Sequence, residues 1–235
     1  MNTTIVIPTY NERVNIKDLI PSIFTILPDI RISVVDDNSP DGTQDEVGRL
    51  AKIYKNINLI KREKKEGLGK AYTHAFKMLL RDTNIHTIVM MDADFSHDPS
   101  YLPQLLKLRN EADVVIGSRY IRHGNTEGWE LWRKFLSKGG NLYCRRITGM
   151  PINDCTGGFN AISTNQLRKI DMNSLDSSGY AFIMELKYRL HKVGSKFAEV
   201  PIIFKNRREG ESKISSHIIK EGIIAPWKMR FKRAI

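Results

Sequence analysis

An α/β fold with a mostly parallel central sheet, helices on both faces, is predicted by three observations. Through the first half, apolar runs of strand length alternate with helical stretches of about 10–15 residues, the pattern of βαβ units. The chemically suggestive residues fall where those runs end: Tyr10, Asp36-Asp37, Gly67-Leu68-Gly69, Asp92-Ala93-Asp94 and Ser118-Arg119-Tyr120. Parallel sheets bind ligands at the carboxyl ends of their strands. Finally, 235 residues of which 41% are hydrophobic can bury one sizeable core.

In order, Thr4 to Pro8 reads as a strand, Val14 to Ile26 as a helix and Ile32 to Asp36 as a strand. Asp41 to Tyr54 is a helix, Asn58 to Lys61 a strand and Leu68 to Leu80 a helix. Strands at Thr87 to Met91 and Val114 to Gly117 flank a helix from Tyr101 to Arg109. Beyond Tyr120 the alternation loosens. Leu131 to Thr148 reads as helix, Gly157-Gly158-Phe159 as a break, Ala181 to Lys192 as helix, and Lys196 to Val200 and Ile202 to Phe204 as short strands. With no repeats and no low-complexity linker, residues 1–214 are expected to form one domain, followed by a basic segment, 215–235.

The formal charge of +11 calls for an anionic partner. More than half of the excess lies from Phe204 onward, where nine Lys/Arg face three Glu, a net charge of +6. That asymmetry, and the lack of any RNA- or DNA-binding module, argues against nucleic acid. Two cysteines, Cys144 and Cys155, make neither a disulfide framework nor a Cys-rich metal site. They favour a reducing, cytoplasmic-side location. No leader peptide is expected before the first strand, and no apolar stretch approaches the roughly 18 residues of a membrane span.

The most informative stretch is Val89-Met90-Met91-Asp92-Ala93-Asp94-Phe95-Ser96-His97-Asp98-Pro99. A buried strand ends in two carboxylates one residue apart, and Asp-Pro then starts a new element. Carboxylates so placed can reach a hard cation and a diphosphate it carries, as Mg²⁺ and Mn²⁺ are usually held. The plain alternative is that both merely cap the strand and open the next helix.

Several segments, taken together, resemble the inverting family 2 glycosyltransferases of GT-A fold. They are Ile5-Val6-Ile7-Pro8-Thr9-Tyr10-Asn11-Glu12, Val34-Val35-Asp36-Asp37-Asn38-Ser39-Pro40-Asp41-Gly42-Thr43, Gly67-Leu68-Gly69 and Asp92-Ala93-Asp94. Gly117-Ser118-Arg119-Tyr120, Gly128-Trp129, Arg133, Asp154-Cys155-Thr156-Gly157-Gly158-Phe159 and Gly179-Tyr180-Ala181-Phe182 extend the match. With Glu199-Val200-Pro201-Ile202, Arg207, Gly210, Ser212 and Lys213, the set is similar to the dolichyl- or polyprenyl-phosphate mannosyltransferases. Two positions depart from that pattern: Asn160, where the family often has Arg, and Ile183, where it often has Gln.

The resemblance implies metal-dependent transfer of mannose from GDP-mannose to a polyprenyl phosphate, with inversion. A UDP-sugar donor, glucose or N-acetylglucosamine, is the nearest alternative; a non-catalytic nucleotide-sugar-binding subunit is another. Asp94 is then the first metal ligand, Ser96 a second, and Asp92 holds ribose or a metal-bound water. Pro8, Tyr10, Glu12, Asp36, Asp37, Lys70 and Ala93 line the donor nucleotide, although Tyr10 also fits a core edge and one of Asp36 and Asp37 also fits a cap. Arg119, Arg133, Arg207 and Lys213 would position the acceptor phosphate, the last two on a lid. His97 reads as a solvent-facing loop residue, with metal coordination as the alternative.

In the tail, Ile219, Ile223, Trp227 and Phe231 recur every four residues among Lys220, Lys228, Arg230, Lys232 and Arg233. Such a basic, Trp-containing segment suits an anionic membrane surface; packing on the domain is the alternative, and Pro226 is expected to break or kink the helix. The expected location is therefore peripheral, at the cytoplasmic face of a membrane, with or without a separate anchoring subunit.

Overall fold

The structure, a computed structural model, describes residues 2–175, 179–206 and 216–231. The first half runs β1 (Thr3–Thr9), α1 (Arg13–Ile26), β2 (Arg31–Asp36), α2 (Thr43–Ile53), β3 (Ile57–Lys61), α3 (Leu68–Leu79), β4 (Thr87–Met90). A single 3-10 turn, Pro99–Tyr101, leads into α4 (Leu102–Leu108) and then β5 (Val114–Ser118). The second half comprises β6 (Asn125–Thr126), α5 (Leu131–Thr148), β7 (Asn160–Ser163), α6 (Thr164–Leu167), α7 (Gly179–Lys192), β8 (Phe197–Pro201), β9 (Ile203–Phe204) and α8 (Ser216–Phe231).

Seven strands form one sheet in the order β3-β2-β1-β4-β7-β5-β8, and β6 and β9 make a separate two-stranded ribbon. All neighbours in the large sheet are parallel except β7, which runs antiparallel to β4 and to β5. Both faces are covered, so the central strands are apolar throughout: every residue of β4 and β5 is buried. One core packs Tyr72 and Phe76 of α3 with Phe182 of α7; the other packs Ile16, Leu19, Ile20 and Ile23 of α1 under β1 and β2. The i, i+3, i+4, i+7 spacing of those four residues is what makes α1 a helix with a single buried stripe.

Register sets the site. Thr9 pairs with Asp36, and Asp36 with Lys61, so β1, β2 and β3 end side by side. β4 stops at Met90 opposite Val6, three residues short of the end of β1. Asp92, Ala93 and Asp94 therefore leave the sheet while β1 still runs on beside β2.

Three findings differ from expectation. Beyond the expected break at Gly157-Gly158-Phe159 the chain enters β7, an unpredicted buried strand in the middle of the sheet. Its four residues, Asn-Ala-Ile-Ser, are too short and too mixed to show a strand period. Second, α8 continues through Pro226 instead of ending there. Ala225, Pro226 and Met229 are buried, and α8 packs on both α5 and α7. Tertiary packing there outweighs the missing backbone N–H. Third, His97 is not on a solvent-facing loop: it is 1% exposed.

Candidate active site

The edge expected to face a donor nucleotide starts from the carboxylates after β2. Asp36 accepts from Thr9 Oγ1 at 2.8 Å, Ser39 N at 2.9 Å, Ser39 Oγ at 2.6 Å and Gln44 Nε2 at 2.8 Å. A carboxylate has about four acceptor positions, so Asp36 is filled by its own chain and acts as the brace that holds β1, β2 and α2 together. Asp37 takes a charge-assisted bond from Arg62 and accepts from the Glu66 and Gly67 amides at 3.1 and 3.4 Å. Gly67, at φ +95, then opens α3, whose first turn carries the exposed Lys70. Pro8, Tyr10 and Glu12 are all half-buried. Tyr10 lies under Lys65 Nζ, 3.8 Å from the ring centroid, and Glu12 accepts from Asn15 Nδ2 at 2.7 Å.

At the exit of β4 the chain makes a tight, strained turn. Phe95 has φ +59, a left-handed conformation costly for a bulky residue, and it lets Ser96 N donate to Asp94 Oδ1 at 3.0 Å. Asp94 is buried, whereas Asp92 keeps about a third of its side chain exposed. Ser96 is 1% exposed, and its hydroxyl has no hydrogen-bond partner among the described residues. His97 stacks on Phe159 at 4.9 Å and meets Phe204 edge-on at 5.6 Å. Its Nδ1 accepts from the Asp92 amide at 3.0 Å, which places the ring proton on Nε2, 3.8 Å from Asp92 Oδ2. Burial lowers its pKa, so the imidazole is a neutral strut behind Asp92.

The described residues contain no cluster of three or more His, Cys, Asp or Glu able to enclose a metal. What they offer is a buried carboxylate, a second carboxylate and a buried unpaired hydroxyl, all hard oxygen donors. That set is too small for an all-protein cage and fits a Mg²⁺- or Mn²⁺-class ion shared with substrate phosphates.

The opposite side is built on Arg119, at the end of β5. Its Nε and Nη2 each donate to Asp154 at 2.7 Å, Nη2 also reaches Thr156 Oγ1 at 2.7 Å, and its amide donates to Asp154 Oδ2 at 3.0 Å. The bidentate edge expected to face an acceptor phosphate is therefore turned onto a buried carboxylate, whose pKa the ion pair holds far below the usual range against the opposing effect of burial. Tyr120, Trp129 and Phe204 surround the guanidinium, with centroids 5.1–5.7 Å away. Arg133, half-buried at the start of α5, stacks on Trp129 at 4.0 Å. Arg207 and Lys213, with Gly210 and Ser212 of the expected lid, lie outside the described residues. Of the two departures, Asn160 donates to Gly157 O at 3.0 Å and Ile183 is core.

Sequence reasoning missed how the loop between α5 and β7 is held. Glu199 of β8 accepts from the Asn153 and Asp154 amides at 2.9 and 3.1 Å, and Asn141 of α5 accepts from the Cys155 and Thr156 amides at 2.7 and 3.2 Å. Lys187 of α7 donates to the Asp154 and Gly157 carbonyls at 2.8 Å each. A signal existed for Lys187: it stands in the apolar stripe Ile183, Leu186, Lys187, Leu190, where a solvated lysine does not belong.

The family model for glycosyl transferase family 2 matches residues 4–171. The chain is 38% identical over 224 residues to an undecaprenyl-phosphate mannosyltransferase of Micrococcus luteus, covering 95% of this chain and 92% of that protein. It is 40% identical over 232 residues to a polyprenol monophosphomannose synthase of Mycolicibacterium smegmatis, covering 97% and 87%. Among solved structures, a mannosyltransferase of Pyrobaculum calidifontis in complex with GDP-Man and Mn²⁺ superposes with a TM-score of 0.65 at 16% identity, covering 100% of this chain and 65% of that one.

Proposed function

We propose that this chain, which belongs to glycosyl transferase family 2, transfers mannose from GDP-mannose to a polyprenyl phosphate, inverting the anomeric carbon and using a divalent metal. It is a glycosyltransferase of GT-A fold. The finer reading is carried by one observation: the turn after β4 puts buried Asp94 beside the unpaired hydroxyl of Ser96, in a chain about two-fifths identical to two polyprenyl-phosphate mannosyltransferases along nearly its whole length.

Asp94 and Ser96, with Asp92 directly or through water, would hold the metal at the donor diphosphate. When bound, such an ion stabilises the negative charge that grows on the leaving nucleoside diphosphate. Tyr10, Glu12 and the edge braced by Asp36 and Asp37 frame the nucleotide, and Lys70 offers a cation on the phosphate side. His97 fixes the Asp92 backbone and supplies no base. None is required, because a phosphate monoester with a second pKa near 6 is mostly dianionic at neutral pH. The protein's task on the acceptor side is to hold one anion against another, with Arg133 and, outside the described residues, Arg207 and Lys213. Arg119 contributes through its charge and its ion pair.

A lipid-linked acceptor requires membrane contact, and α5 and α8 supply a surface suited to it. Leu131 and Phe135 of α5 are 73% and 74% exposed, and Phe231 of α8 is 72% exposed, with Trp132 and Trp227 alongside. The two helices are joined through Tyr143, whose hydroxyl donates to Ile223 O at 3.0 Å and accepts from Trp227 Nε1 at 2.7 Å. Lys134, Lys138, Lys228 and Arg230 flank them. An apolar face edged with lysine and arginine suits the cytoplasmic surface of an anionic bilayer, so segment 215–235 acts there together with α5. No described helix is long and apolar enough to cross a membrane.

The test is transfer of labelled sugar into a lipid-extractable product. GDP-mannose, UDP-glucose and UDP-N-acetylglucosamine are each offered with polyprenyl phosphate in detergent, with Mg²⁺, Mn²⁺ or chelator. Label from GDP-mannose alone, lost in chelator, is expected. Product only from a UDP-sugar would replace the donor, and tight GDP binding without product from any donor would favour the non-catalytic reading or a separate anchoring subunit.

A further inference from the structure

Lys187 is a fully buried lysine with no assigned role in the reaction. It projects from the middle of α7, is 1% exposed, and puts its ammonium against two main-chain carbonyls, Asp154 O and Gly157 O, at 2.8 Å each. Retaining an ammonium there is costly: burial pushes its pKa down to about 8 despite the nearby carboxylates. An apolar residue in the Ile183–Leu190 stripe would fill the core without that cost.

The carbonyls it holds belong to a loop whose other polar groups are held from three further directions. Glu199 of β8 and Asn141 of α5 accept its amides, and Asn160 of β7 shares Gly157 O at 3.0 Å. The loop touches both the Arg119 side and the Asp92–His97 side of the candidate site. Asp154 carries Arg119, while the added Cβ of an alanine at Gly158 would lie 3.4 Å from His97 and 3.8 Å from Asp92. A shift of this loop would therefore move the acceptor-side cation and the support of the donor-side carboxylate together.

We infer that Lys187 is a positioning residue for glycosyl transfer, acting through the loop from Asp154 to Gly158 that registers Arg119 against the Asp92–His97 side of the cleft. This rests on the reaction proposed above and adds a residue to it that touches neither substrate.

The test compares Lys187→Met, Lys187→Gln and Asn141→Ala in the full chain. Met keeps the bulk without donors; Gln keeps two N–H donors without charge; the Asn141 change loosens the same loop from its other side. Measured quantities are kcat and KM for transfer from GDP-mannose, GDP affinity, and hydrogen exchange at the amides of 154–158. Misplacing positioned groups by about 1 Å can cost on the order of 10²-fold, so kcat of Lys187→Met should fall by about 10–100-fold while GDP affinity stays within about threefold. Gln should lie between Met and the parent, Asn141→Ala should show the same kcat-selective loss, and loop exchange should rise about tenfold or more in the Met variant. Unchanged kcat in a folded Met variant, or parallel loss of GDP affinity and kcat, would overturn the inference. If Lys187→Met does not fold, the Gln and Asn141 variants decide by the same split. If the parent chain transfers no mannose, the proposed reaction fails, and Lys187 is judged by loop exchange alone: unchanged exchange overturns it.

Discussion

The two sides of the cleft hold their charged groups in opposite ways. On the donor side, a turn of a few residues after β4 carries Asp92, Asp94 and Ser96, and one of its hydroxyls is buried without a partner among the described residues. On the acceptor side, Arg119 and Asp154 are 35 residues apart and form a sealed ion pair, braced by Lys187 and Asn141 from two further helices. The turn proposed to meet a metal keeps the Ser96 hydroxyl unpartnered among the described residues, whereas the Arg119–Asp154 pair is satisfied internally. Substitutions should accordingly damage chemistry on one side and folding on the other.

The largest effect should come from Asp94→Ala. As the proposed metal ligand at the departing diphosphate, Asp94 would supply several kcal/mol of transition-state stabilisation, so transfer should fall by about 10³-fold or more. GDP binding should lose its metal dependence while the melting temperature changes little. A large loss of stability would break the contrast.

Asp154→Ala should do the reverse. It leaves Arg119 buried without its counter-charge, a change worth about 3–5 kcal/mol in stability, read by denaturant unfolding. The pH dependence has a definite sign. The folded-state pKa of Asp154 is depressed, so its contribution is complete above the unfolded value near 3.9 and is lost as pH falls below it. The gap between the parent and Asp154→Asn should thus be constant from pH 7 to 5 and narrow below about pH 4.

Arg133→Ala sharpens the division within the acceptor side, because Arg133 stacks on Trp129 at 4.0 Å while Arg119 is locked to Asp154. On the proposed reading the variant loses a charge-assisted phosphate contact of roughly 1.5–3 kcal/mol, which should cut transfer by about 10–100-fold, with GDP affinity within about threefold. Equal loss of both would place Arg133 with the donor.

Phe135→Asp should have the smallest effect on the transfer reaction itself. Removing one exposed aromatic from a bilayer contact of about 1.5–3 kcal/mol should weaken sedimentation with anionic vesicles by about tenfold or more. Transfer to a short-chain, water-soluble acceptor should be unaffected. Unchanged vesicle binding would remove α5 from the membrane surface.

Much of this molecule was legible before any coordinate. α5 runs from Leu131 to Thr148 as its sequence predicts, and the strands and helices up to β5 fall within a few residues of expectation, because their hydrophobic period is local. The stretch from Asp92 to Asp94 was recognisable because both carboxylates stand in one short motif after an apolar run. β7 was not, since four mixed residues become a strand only between β4 and β5. Nor was the burial of His97, which depends on Phe159 and Phe204 arriving from 62 and 107 positions along the chain.

By itself, then, the sequence determined the α/β class, the order of the elements through β5 and the pair of carboxylates after β4, all written in contiguous residues. Only the tertiary structure decided which charges remain for ligands and which are consumed within the fold. Asp36 and Asp37 read alike along the chain, yet Asp36 is filled by Thr9, Ser39 and Gln44 while Asp37 is bound to Arg62 and the turn before α3. Arg119 likewise reads as a phosphate ligand until Asp154 is seen to occupy its bidentate edge. The reason is physical: a residue's type sets what it can bond, but its unused bonding capacity depends on neighbours that only the packed chain brings within 3 Å.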